Sequence, residues 1–130
     1  MTKELENVFV YKNRGSFSAE KILQKGFQIN ACCEENGYLQ AGSLSMSVPM
    51  SQSGSELQWI MDYCQKRGIS KILVCGLHDI GRTPAVVQNT TNILCANGFQ
   101  VEAAASGLTF VPKDIAQEQN EDIGMTMGGI

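Results

Sequence analysis

Residues 71 to 84 read KILVCGLHDIGRTP, and the fold is decided by the first five of them. Lys71-Ile72-Leu73-Val74-Cys75 is apolar on both faces and ends at Gly76. A strand that can be buried from both sides belongs in the middle of a parallel sheet with helices packed on each face. Thr83-Pro84 then reads as a helix start. Thr83 can offer its hydroxyl oxygen as the N-cap, and Pro84 suits the first turn, where its missing N–H is not needed. The helix is predicted to run to Gly98, and Phe99 to Ala105 supplies the next strand.

The pattern repeats upstream. Val8-Phe9-Val10-Tyr11 is a short apolar run ended by a polar, glycine-containing turn, which predicts the first strand. Ser18 is a candidate N-cap for a helix whose apolar face is predicted from Ile22, Leu23, Phe27 and Ala31, and Gly37 stops it. A weaker strand is expected over Tyr38 to Ala41. Residues 42 to 54, GSLSMSVPMSQSG, read as a mobile surface loop of functional length. From Ser55 a second helix faces inward through Leu57, Ile60, Met61 and Cys64, and Gly68 ends it.

Strand and helix therefore alternate along the chain. That predicts an α/β fold in three layers, with a central, mostly parallel sheet of four or five strands. The runs near residues 7–12, 71–75 and 99–104 should be adjacent in it. One domain is expected over residues 1–110, followed by a short tail over 111–130 with one acidic helical stretch, Lys113 to Asp122, and no DNA-binding module.

Composition narrows the function classes. At 130 residues the chain can bury a real core. Ten basic and thirteen acidic residues give a net charge of −3, which argues against a free-standing nucleic-acid binder. The five cysteines form no CxxC pair and the chain has one histidine, so neither a zinc site nor another metal or cofactor is expected. An odd cysteine count without a signal peptide reads as a reducing cytoplasm. No apolar run approaches the roughly 18–20 residues of a membrane span.

In parallel α/β sheets, ligands gather at the carboxyl ends of the strands. The turn after the first strand (Lys12 to Phe17), the serine-rich loop and the 76–83 turn all meet there. Arg14-Gly15-Ser16 could present a nucleophilic serine with an arginine beside it, or it could be a plain turn. There is no GxxxxGK[ST] phosphate loop and no GxSxG elbow, and His78 lies too close to Asp79 in sequence to suggest a triad.

Taken in order, these segments resemble the catalytic domain of the serine recombinases, the resolvases and DNA invertases. That family opens with a strand ending in Tyr-x-Arg-x-Ser and has a mobile loop with a Ser-Gly step followed by an arginine. A hydrophobic strand then runs into Leu-Asp-Arg-[Leu/Ile]-[Gly/Ser]-Arg. The counterparts here are Val8 to Ser16, Ser53-Gly54, Ile72-Leu73-Val74, and Leu77 to Thr83, spanning roughly residues 7 to 110. The resemblance implies a site-specific recombinase whose serine attacks a DNA phosphodiester. Ser16 would be the nucleophile, Arg14 and Arg82 the catalytic cations, and Ser53, Gly54 and Asp79 substrate contacts. It also implies DNA as a partner and a homo-oligomer; the acidic composition and the missing arginines predict that this domain alone holds DNA weakly.

The spelling departs from the family where the chemistry is concentrated. His78 stands where the family has aspartate, and Asp79 where it has arginine. Without a gap after Tyr11, Asn13 and Gly15 replace the arginine and the serine, and a one-residue slip restores them as Arg14 and Ser16. No arginine follows Ser53-Gly54. Phosphodiester attack builds negative charge that preorganised donors must meet, and losing one such donor typically costs about 2.7–4 kcal/mol of activation free energy. The expectation is therefore an impaired or inactive recombinase-type domain. The alternatives from other classes are a non-catalytic α/β protein-interaction domain and a small phosphate- or nucleotide-binding domain.

Overall fold

The computed structural model describes residues 5–15 and 17–112. Among the described residues five strands form one sheet: β1 (Glu6–Asn13), β2 (Tyr38–Met46), β3 (Lys71–Val74), β4 (Gln100–Ala103) and β5 (Thr109–Phe110). Their order is β2-β1-β3-β4-β5; the first four run parallel and β5 closes the edge antiparallel to β4. Among the described residues three α-helices complete the fold: α1 (Ala19–Asn36), α2 (Ser55–Arg67) and α3 (Pro84–Ala96).

The alternation of side chains along β1 and β3 builds the layers. Val8, Val10, Leu73 and Cys75 pack on one side against Ile29, Cys32 and Cys33 of α1. Phe9, Tyr11, Ile72 and Val74 pack on the other side against Ile60, Met61 and Cys64 of α2 and Val87 and Leu94 of α3. Ile72, Leu73 and Val74 of β3 are fully buried, as the apolar run predicts, and Lys71 is buried with its ammonium on Tyr38 Oη at 2.7 Å and beside Glu102. All five cysteines are buried.

The caps behave as their chemistry predicts. Ser18 Oγ accepts from Lys21 N, Thr83 Oγ1 accepts from Val86 N, and Pro84 occupies the first turn of α3.

Two expectations are corrected. The face of α1 turned to the sheet is Lys25, Ile29, Cys32 and Cys33, whereas Leu23 and Phe27 are 59% and 62% exposed. The helix is rotated because Lys25 has a buried partner described below, while Cys32 and Cys33 fit closely over β1 and β3. The serine-rich segment is also less of a loop than expected. Tyr38 to Met46 pairs along the whole of β1, with one register shift at Val8/Phe9. Ser43 and Ser45 face solvent while Leu44 and Met46 pack on the core, the period-two pattern of a half-buried edge strand. The bend at 47–49 then enters a 3₁₀ turn, Met50–Gln52, which Ser51 N ties to Ile80 O at 2.9 Å. Tyr11 Oη donates to Val48 O at 2.7 Å and anchors the bend.

The chain leaves β1 toward β2 over one face of the sheet and leaves β3 toward β4 over the other. The carboxyl ends of β1 and β3 therefore flank the point where strand order reverses, the place where such sheets form a crevice. The predicted tail helix, Lys113 to Asp122, lies outside the described residues.

Candidate functional site

Two segments line that crevice, the loop after β1 and the turn after β3. The turn after β3 contains a short 3₁₀ helix, Leu77–Asp79. Its last residue organises the whole region. Asp79 is completely buried, and its Oδ2 accepts from the backbone N–H groups of Cys75 (3.0 Å) and Gly76 (2.9 Å). Its Oδ1 accepts from Asn13 N at 2.9 Å and from Lys25 Nζ at 2.6 Å. Lys25, 3% exposed, also donates to Asn13 O at 2.8 Å. One carboxylate and one ammonium thus tie β1, α1 and the β3 turn together.

Such a pair is tolerable out of water only because its remaining hydrogen-bonding capacity is also used. Backbone donors take up the carboxylate, and Asn13 O takes a second proton of the ammonium. Phe17 closes the cluster from above, with Lys25 Nζ 4.7 Å from its ring centroid. His78 meets Phe17 edge to face at 5.5 Å. Burial pushes the His78 imidazole below its ordinary 6.5; the Asp79 carboxylate opposes this shift, and Lys25 and Lys21 reinforce it. Burial, and then the Asp79 charge, pushes the Cys75 thiol up, so it is a poor nucleophile.

The sequence-predicted residues are distributed as follows. Asp79 faces inward, with both oxygens committed to the scaffold. Its 3.7 Å approach to His78 Nε2 is a weak contact beside the 2.6 Å bond to Lys25. Arg14 and Arg82 are both exposed at the carboxyl ends of neighbouring strands. Neither guanidinium makes a hydrogen bond or ion pair among the described residues. Arg82 is set at the mouth of α3 by Gly81, where a Cβ would stand 2.7 Å from Val86 Cγ1 and 3.1 Å from Val87 N. The turn can approach the helix this closely only without a side chain.

Ser53 is buried, and its Oγ donates to Met50 O at 2.7 Å. Gly54 caps α2 at φ 68° and ψ −128°, a conformation in which glycine is favoured. Both therefore shape the start of α2. Ser16 lies outside the described residues.

Sequence reasoning missed Lys25 and Asn13. The sequence offers one signal for Lys25, which stands one helical turn before Ile29 on the stripe that also holds Cys32 and Cys33. Asn13 is the last residue of β1 and is buried. Its Nδ2 donates to His78 O at 3.3 Å, while its Oδ1 has no partner. Among the described residues no cluster of three His, Cys, Asp or Glu side chains could hold a metal ion, and no helix is long and apolar enough to cross a membrane.

No family model matches the chain, and no curated protein matches it. Solved structures do match over nearly its full length. A resolvase-family site-specific recombinase from Streptococcus pneumoniae is 21% identical, with a TM-score of 0.63 and coverage of 95% of both chains. The N-terminal catalytic domain of TP901-1 integrase is 11% identical, with a TM-score of 0.63 and coverage of 95% of this chain and 98% of that one. The C-terminal catalytic domain of ISC1926 TnpA, an IS607-like serine recombinase, is 16% identical, with a TM-score of 0.59 and coverage of 90% and 78%. The chain has the fold of these catalytic domains.

Proposed function

We propose that this chain is a catalytic-type domain for site-specific DNA recombination in which serine attack on the phosphodiester is impaired or lost. The shared fold with recombinase and integrase catalytic domains supports the first half of this reading. The observation that supports the second half is the inward, fully hydrogen-bonded Asp79 at the position where the recombinase pattern it resembles has an arginine.

In this reading the Ser16 hydroxyl attacks phosphorus, a serine–phosphate ester forms, and the bond from phosphorus to the leaving sugar oxygen breaks. Arg82 is the phosphate ligand and Arg14 its helper. Two exposed guanidiniums supply less charge stabilisation than the four cationic positions of the family pattern would. The domain works in the cytoplasm as a homo-oligomer. With a net charge of −3 it holds DNA weakly, and the binding weakens further as salt rises.

The test is to fuse the chain to a dimerising DNA-binding module, incubate it with supercoiled DNA carrying the cognate sites, and look for protein-linked DNA. A sparse adduct that vanishes in Ser16→Ala is the expected result. An adduct that survives Ser16→Ala moves the nucleophile elsewhere, with Ser18 next in line. The absence of any adduct leaves a non-catalytic α/β interaction domain as the function of this fold.

A further inference from the structure

Beside the same turn, on the side away from Lys25, the start of α3 and the β4–β5 hairpin enclose an open groove of about 430 Å³. Its walls are apolar: Leu77, Pro84, Val87, Leu108 and Phe110. Leu77 and Leu108 are 37% and 45% exposed, large aliphatic surfaces left in water at the mouth of a concavity. Arg82 stands among the lining residues with no ion pair among the described residues, and no carboxylate lines the groove. Asp79, in the adjoining turn, is buried and fully engaged.

A groove of this volume, with apolar walls and the polar side chains of His78, Arg82, Thr83 and Gln88 on its lining, has the make-up of a small-ligand site, for which about 300–1,000 Å³ is usual. The charge pattern selects the ligand further. An unpaired guanidinium with no competing acid favours a single anionic group, and the apolar walls favour a flat or aliphatic body attached to it. A DNA backbone, with phosphate and sugar on every side, would leave those walls unfilled.

We propose that this groove binds a small organic anion, an aryl or alkyl phosphate or carboxylate. Its charged group lies on Arg82 and its apolar body lies between Leu77, Val87, Leu108 and Phe110. Gln88, at the same wall, donates from its Nε2 to Asn92 Oδ1 at 2.9 Å and would use its Oε1 to accept from a polar substituent on the body. The site does not depend on the recombination reading, because its occupancy is measured without DNA.

The experiment titrates the full chain with 1-naphthyl phosphate, 1-naphthol and inorganic phosphate and follows the amide NMR spectrum. The expected result is that 1-naphthyl phosphate shifts the amides of Leu77, Gly81, Gln88 and Leu108. It should bind about tenfold or more tightly than either fragment, as a charge-assisted contact added to apolar burial requires. Arg82→Ala should reduce 1-naphthyl phosphate to the affinity of 1-naphthol. Leu108→Gln, at a half-exposed position the fold tolerates, should weaken both aryl compounds and leave inorganic phosphate unchanged. Shifts centred elsewhere, no binding, or equal affinity in Arg82→Ala would overturn the proposal. An Arg82→Ala variant that loses DNA binding but keeps 1-naphthyl phosphate would sink the groove and spare the recombination reading. The reverse pattern would support the groove and count against Arg82 as the DNA phosphate ligand.

Discussion

Lys25 Nζ stands 2.6 Å from Asp79 Oδ1, with 4% and 0% of the two side chains exposed, and this pair joins α1 to the turn between β3 and α3. The turn carries Arg82, and Asn13, at the end of β1, bonds to both partners. The geometry of the candidate site therefore rests on one buried charge pair.

Removing one partner leaves the other charged and out of water. Lys25→Met is expected to lower the unfolding free energy by about 3–5 kcal/mol, the usual consequence of breaking a buried pair. Lys25→Met combined with Asp79→Asn removes the orphaned charge and keeps one acceptor oxygen, so it should recover part of that loss. Denaturant titration of the two variants checks both statements, and equal stability of wild type and Lys25→Met would contradict them.

His78 sets an acid limit. Its pKa is lowered in the fold, so the unfolded chain binds the proton more readily than the folded one. The stability that His78 contributes is therefore complete above its ordinary 6.5 and is lost as pH falls below that value. An NMR titration should place the His78 midpoint below 6.5. His78→Gln should flatten the stability profile between about pH 7 and pH 5. A midpoint above the ordinary value would reverse the sign and refute the assignment.

Gly81→Ala would force its new methyl against Val86 and against the Val87 backbone nitrogen, which cannot move without shifting α3. A loss of about 1–3 kcal/mol is expected, as for other overpacked sites. Amide shift changes should concentrate on the 76–83 turn and the first turn of α3. An unperturbed spectrum would show that the turn does not need the glycine.

The sequence displayed those parts of the fold that depend on local signals. Ile72, Leu73 and Val74 announced a two-sided strand, Thr83-Pro84 a helix start, and Ser18 a cap. It concealed the parts that depend on distant partners. Leu23 and Phe27 outweigh Lys25 in any reading of α1 by hydrophobicity. Yet Lys25 faces inward because Asp79 lies 54 residues away in sequence and next to it in space. Ser43 and Ser45 suggested a loop by composition, although their alternation with Leu44 and Met46 already had the period of a strand. At the candidate site, the place of Arg82 just before α3 was legible from the Thr83-Pro84 helix start that follows it. The inward turn of Asp79 was not, because it depends on backbone donors from three residues on two strand ends.

The covalent state of DNA after incubation with the fused domain tests the central claim most directly. The account predicts that protein-linked DNA is sparse in the wild type and that it requires both the Ser16 hydroxyl and the Arg82 guanidinium, so that it disappears in Ser16→Ala and in Arg82→Ala. Abundant adduct in the wild type, or adduct that persists in either variant, would contradict it.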